Sequence, residues 1–284
     1  FFGGSEKTGM GWDGVDYNTA YGINGADRRY NPAGEYTTTA ADGSDSTAYY
    51  PNQTDNYVQQ HAQLSVLHRF TPQWSLSATA HYTHGAGYYE QYKRKKLSYW
   101  GLPYSHKAYG MYRKQLDNHF FGGVVAAKYI SEPVDVQFGG AANYYMGDHF
   151  GTLHYLEDSL ILPINYEYYR NDAKKTDANI YAKANWRIIN RAQEQLSLYA
   201  DLQYRYVRYE RNGMNDEDMT DLPLEVNFHF FKPKAGLTYQ NRGHLLAASF
   251  AIANREPSRN NYKANVVYDA STGEYTGLPH AERP

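Results

Sequence analysis

The stretch "HGAGYYEQYKRKKLSYWGLPYSHKAYGMY", residues 84 to 112, holds the side chains of this chain best suited to capture a ligand. Tyr88, Tyr89, Tyr92, Trp100 and Tyr104 stand around a basic run of Lys93, Arg94, Lys95 and Lys96. Tyr and Trp offer rigid, amphipathic contact area at low entropic cost, and nearby cations add attraction for a negative ligand. Together they suit an anionic small molecule or a metal chelate, with the mid-stretch Trp100 and Tyr104 as the best contacts. A second reading stands beside it: Tyr88 and its neighbours complete an interfacial aromatic belt, and the basic run meets phosphates or water.

Other candidates are sparser. "NREPSR" (254 to 259) carries Arg255 and Arg259, which can bind an anion, or anchor their own loop through Glu256. His61, His81 and His119 offer imidazoles that suit transition metals or haem iron. They lie on different strands of unknown register, so hydrogen bonding inside a polar lumen is the simpler expectation. "GMNDEDMTD" (213 to 221) presents hard oxygens without the spacing of a calcium loop, which favours a solvated loop. No G-x-S-x-G, H-E-x-x-H or glycine-rich phosphate loop occurs, so no enzyme, cofactor or bound metal is expected.

The elements that must position these residues are strands. In "NIYAKANWRI" (179 to 188), Ile180, Ala182, Ala184, Trp186 and Ile188 alternate with Asn179, Tyr181, Lys183, Asn185 and Arg187. Strict alternation gives a strand with one apolar and one polar face. The same pattern recurs at 57 to 66, 74 to 83, 134 to 144, 196 to 206 and 246 to 253. Connections alternate too. Short turns fall at 71 to 73, 131 to 133, 190 to 195 and 241 to 244. Long connections are expected at roughly 85 to 115, 147 to 175, 210 to 227 and from 254 onward, far above the usual median of about 5 residues.

Short turn then long loop is the rhythm of a transmembrane β-barrel. A soluble β-sandwich also alternates, but with shorter strands and more frequent turns. A charge facing lipid at the midplane costs about 2–4 kcal/mol, so Lys183, Arg187, Asp201 and Arg205 must face a wet lumen. Trp74 and Trp186 then belong to the aromatic girdle beside the short turns, and Tyr82, Tyr144, Tyr204 and Tyr206 to the opposite one.

Composition agrees. The chain has 284 residues, 31 of them Tyr and 24 Gly, with no cysteine, which excludes disulfides and thiolate metal sites. A net charge of −2 gives no bulk electrostatic case for nucleic acid. Mean hydropathy is −0.76, and no apolar run reaches the roughly 18 residues of a transmembrane helix.

Several segments, in order, resemble the TonB-dependent outer-membrane receptors of Bacteroidetes-type bacteria. They are "EKTGMGWDGV" (6 to 15), "RRYNPAGEY" (28 to 36), "QTDNYVQQHAQL" (53 to 64), "HYTHGAGYYEQYK" (81 to 93), "YYRNDAKKTDANIYAKANW" (168 to 186) and "FFKPKAGLTY" (230 to 239). "ASFAIANREPSRNNY" (248 to 262) is similar to the family's F-R-A-P-T/S strand, and "LPHAERP" to the segment that opens the next one.

The resemblance implies an all-β protein of the bacterial outer membrane, a barrel of about 22 strands around a plug domain. Residues 1–284 would supply about 8–10 of those strands, antiparallel, with short periplasmic turns and long extracellular loops, and without the plug or the C-terminal strands. It further implies active uptake of a scarce chelate. A ferric siderophore is the first expectation and haem or cobalamin the next. The implied partners are TonB, acting through the plug, and outer-membrane lipid and lipopolysaccharide. A passive porin-like channel and a surface-binding receptor or adhesin are the alternatives.

Overall fold

The computed structural model describes residues 1–11, 14–214, 223–257, 267–269 and 274–276. Nine strands form one antiparallel sheet in the order β1-β4-β5-β6-β7-β8-β9-β10-β11. They are β1 (Phe2–Gly9), β4 (Thr54–Arg69), β5 (Trp74–Lys96), β6 (Lys107–Ile130), β7 (Val134–Leu156), β8 (Tyr166–Arg191), β9 (Glu194–Gly213), β10 (Leu224–Asn241) and β11 (His244–Ala251). Between β1 and β4 the chain makes an excursion through α1 (Tyr17–Tyr21) and the hairpin β2 (Glu35–Thr39) with β3 (Asp45–Tyr49). A second small hairpin pairs β12 (Val267–Asp269) with β13 (Glu274–Thr276). Among the described residues no helix is long and apolar enough to cross a membrane.

The register turns the alternation of each strand into two continuous faces. Residues paired across an antiparallel ladder point to the same side of the sheet. Ladder pairs run Val66↔Ala78, Ala78↔Val125, Val125↔Gly140, Gly140↔Ile180, Ile180↔Tyr204 and Tyr204↔Phe231, so one face is apolar from strand to strand. It ends on that side in Ala235↔Phe250 and Leu237↔Ala248. The band is bounded below by Trp74↔Tyr129 and Val134↔Trp186, and above by Tyr82↔Phe121 and Phe121↔Tyr144. From Trp74 to Tyr82 on β5 it matches the 9–11 residues, or about 30 Å of hydrocarbon, that a tilted strand must cross.

The short turns lie where expected. Ser131 to Pro133 link β6 and β7, and Arg242 and Gly243 link β10 and β11 with φ of 43° and 88°. Both values are positive, as a tight two-residue hairpin turn requires.

The long connections differ from expectation. Residues 85 to 96 and 107 to 115 are strand, as are 147 to 156 and 166 to 175, leaving only 97 to 106 and 157 to 165 outside the ladder. β5 to β8 run 23, 24, 23 and 26 residues, more than twice what the bilayer needs. Beyond the girdle both faces meet water or protein, so the apolar-polar contrast that marks a strand in sequence disappears while the backbone pairing continues. At 1 to 22, one strand forms and is followed by α1, capped by Asp16 accepting from the Asn18 and Thr19 amides.

Candidate functional site

The polar face carries the charges assigned to it from the sequence. Lys183 stands opposite Asp201, and Arg187 pairs with Asp135 while donating to the Ser131 and Glu132 carbonyls at 3.0 and 2.6 Å. Arg205 Nε donates to Asp177 at 3.0 Å. Glu256, in the segment after β11, pairs with Lys175 and stands 3.5 Å from Arg205. That ties the NREPSR segment to the polar face through its own glutamate. Arg255 is exposed, and Arg259 lies outside the described residues. The acidic loop at 213 to 221 likewise falls almost wholly outside them.

His61 and His81 share this polar face. Their rings stack with centroids 6.4 Å apart, and they hydrogen-bond to Thr83 at 2.7 Å and Asn143 at 2.9 Å. His119 does not join them. It is paired in register with His84, on the apolar side just beyond the Tyr82–Phe121 girdle.

The aromatic stretch is divided rather than gathered. Tyr89 points to the polar face, where a pocket of about 180 Å³ is lined by Asp55, Tyr57, Tyr89, Lys114, His149 and Tyr169 among others. The glycines of "HGAG" make this wall possible. The Tyr57 ring lies across the neighbouring strand, and a Cβ on Gly85 or Gly87 would come within 2.9 Å of it. Glycine in a strand interior often marks such a close approach. Above the pocket, on the same face, Trp100 is fully buried in a cluster with Tyr112, Leu153, Tyr168 and Tyr169. A Cβ on Gly110 would meet its ring at 2.6 Å, so that glycine is the seat of the indole. Trp100 therefore holds the 97 to 106 loop down rather than presenting a surface to a ligand. Beside it, Lys95 and Lys114 stand over the Tyr99 ring at 5.1 and 5.8 Å.

Tyr88 and Tyr92 occupy the opposite face. Arg113 stacks on Tyr88 at 4.2 Å, and Tyr92 stacks on Tyr109 at 5.2 Å with Tyr36 edge-on at 5.0 Å. The β2–β3 excursion covers this patch. It buries Glu90 to 2% exposure beneath Tyr50, with Asn52 donating to the carboxylate at 2.6 Å and Arg113 at 2.6 Å. Burial pushes the Glu90 carboxyl up, but the hydrogen bonds from Tyr50, Asn52 and Arg113 outweigh it and hold the net value below its ordinary range. The Tyr50 hydroxyl is pushed up to about 12 by burial and by that same carboxylate. Tyr104 sits at the loop tip, 44% exposed. The basic run splits by strand alternation, Lys93 and Lys95 to the polar face and Arg94 and Lys96 to the other, so it is not a single patch.

A nine-stranded antiparallel wall with one apolar and one charged face, short turns at one end and tall hairpins at the other, has a match among known families. The family model of the TonB dependent receptor-like β-barrel covers residues 3–279. The chain belongs to this family. No curated protein matches it.

Membership in the TonB-dependent receptors gives the two faces their solvents. The apolar face meets lipid in the outer membrane, the charged face is the lumen, the short turns are periplasmic and the tall hairpins extracellular. The chain belongs with the outer-membrane receptors and transporters, a family that works with TonB on small-molecule substrates. The pocket beside Tyr89 then lies in the upper lumen. Lys114, His149 and Tyr169 were missed in the sequence because their strands show no apolar alternation at that height.

Proposed function

We propose that this chain forms the recognition wall of a transporter that takes up a scarce chelate, a ferric siderophore first and haem or cobalamin next. The observation that carries this is the upper-lumen pocket, where Tyr57, Tyr89 and Tyr169 converge with Lys114 and His149. Aromatic faces and cations on rigid strands suit a flat, anionic chelate better than a neutral sugar. Arg255, exposed beyond β11, is a further candidate anion contact in this reading, and Arg259, the other arginine of that segment, lies outside the described residues. Tyr88 also lines the pocket, although its ring stacks with Arg113 on the opposite face, whereas Tyr92 and Tyr104 do not line it and contribute to the hairpin exterior instead. Arg94 and Lys96, on the outer face, suit lipopolysaccharide phosphates. The sheet ends in strands β1 and β11, and we assign them to a closed barrel of about 22 strands, completed by further strands and filled by a plug.

The test is uptake of labelled ferric siderophores, haem and cobalamin by cells carrying the full-length receptor. Uptake of one of them should require TonB and should weaken about tenfold in apparent affinity with Lys114→Ala or Tyr89→Ala, a loss of about 1.4 kcal/mol. Tyr92→Ala should leave it unchanged. Normal uptake of every chelate in a strain lacking the receptor would overturn the chelate reading. Ion conductance of the barrel without an energy source would establish a passive channel, and loss of adhesion with uptake intact after deleting 97 to 106 would establish an adhesin.

A further inference from the structure

We propose a divalent transition-metal site on the outer wall of the barrel, formed by His84, Asp117 and His119. The three come together through strand geometry alone. His84 and His119 are direct ladder partners, and Asp117 lies two residues before His119 on the same face. The two imidazoles stack with centroids 4.7 Å apart. His84 Nε2 lies 2.8 Å and His119 Nε2 3.7 Å from Asp117 Oδ1, and all the ligand atoms fall within 4.8 Å of one another. Ligands held at about 2.0–2.2 Å from a tetrahedral zinc ion stand roughly 3.3 Å apart, midway between the two shorter edges. Rotation of the half-exposed side chains closes the third.

The orientation of His119 is set by Tyr82, whose hydroxyl lies 2.8 Å from Nδ1. With Nδ1–H donating to the Tyr82 oxygen, Nε2 keeps its lone pair toward Asp117. Such a partner on the far nitrogen is the usual way a ligating imidazole is fixed. Two imidazoles and one carboxylate favour Zn²⁺ or Cu²⁺ over Mg²⁺ or Ca²⁺, which want a shell of oxygens. The remaining positions open outward to water.

The cluster sits just beyond the girdle, on the face opposite the lumen. It is therefore off the transport route and does not depend on which chelate the receptor takes. A metal there ties β5 to β6 at the height where the bilayer ends.

Calorimetric titration of the full-length receptor in detergent with Zn²⁺ tests it, alongside His84→Ala/His119→Ala, Tyr82→Phe and a lumen control, His61→Ala. The double variant should lose one equivalent of Zn²⁺ that the His61→Ala control retains, and Tyr82→Phe should weaken that equivalent about tenfold. Cu²⁺ bound to the wild type should show nitrogen couplings in its EPR spectrum, absent from the double variant. These side chains are partly exposed, and heat-modifiable migration on gels reports that each variant is folded. Zn²⁺ binding of equal stoichiometry and affinity in the wild type and the folded double variant, or none in the wild type, would overturn the assignment.

Discussion

Glu90 illustrates what a single residue does outside the bilayer. Its carboxylate is a buried, charged point of attachment between the excursion before β4 and the β5–β6 hairpin, through Tyr50, Asn52 and Arg113, beside the Tyr36 contacts with Tyr92 and Tyr109. Because its folded-state value is depressed, its contribution to stability is complete above the unfolded carboxyl value of about 4.3. It is lost as pH falls through the lower folded value. The protection of backbone amides at 35 to 53 against hydrogen exchange should therefore hold at neutral pH and collapse on acidification below about pH 4. Glu90→Gln should show reduced protection already at neutral pH, with the acid transition removed. Wild-type protection that does not change with pH would count against this account. Breaking such a buried, charged contact by removing one partner typically costs about 3–5 kcal/mol, which exceeds what the exposed β2–β3 hairpin can supply by itself.

At the scale of the element, the strands are two-sided objects whose sides are assigned by solvent. Ser77 and Ala78 are neighbours in sequence, yet Ser77 pairs with Leu67 and Ala126 on the lumen side and Ala78 with Val66 and Val125 on the lipid side. Ala78→Arg should destabilise the folded receptor in liposomes by about 2–4 kcal/mol, whereas Ser77→Arg should cost under about 1 kcal/mol. Denaturant titration of both variants measures the difference, and equal costs would mean the faces are misassigned. The same strands climb far past the membrane. At 24 residues, β6 extends about 80 Å at the usual rise per residue, and no apolar stripe marks its upper half. What holds that half is cross-strand aromatic packing, with Trp100, Tyr112 and Tyr168 forming a small core outside the bilayer.

For the whole molecule, the open edges matter most. Among the described residues β1 and β11 each pair on one side only within the sheet. In hydrocarbon an unpaired row of amides and carbonyls costs several kcal/mol per group, so spanning sheets must close. Residues 1–284 expressed alone should fail to give a heat-modifiable monomer in liposomes, and should remain aggregated or surface-bound. Efficient folding of that segment into a stable, single-chain species would show that the wall closes without further strands. Closure also gives the chelate reading its geometry, since a pocket beside Tyr89 becomes an upper-lumen site only when the sheet curves round on itself.

Much of this was legible in one dimension. Alternation from Ile180 to Ile188, from Trp74 to Tyr82 and from Leu196 to Tyr206 identified the membrane strands and the lumen side of Lys183, Arg187, Asp201 and Arg205, because side-chain direction in a strand follows from parity alone. Pro, Asn and Gly marked the tight turns for an equally local reason. The height of the hairpins was not legible, since above the girdle both faces of β5 to β8 lie outside lipid and the two-residue contrast fades. Nor was the site. Tyr88, Tyr89, Tyr92, Trp100 and Tyr104 read as one aromatic cluster, but ladder parity sends Tyr88 and Tyr92 outward and Tyr89 inward, while Gly110 draws Trp100 into a core. The approach of Lys114, His149 and Tyr169 to Tyr89, and of His84 to Asp117 and His119, depends on register between strands, and only the tertiary structure decides register.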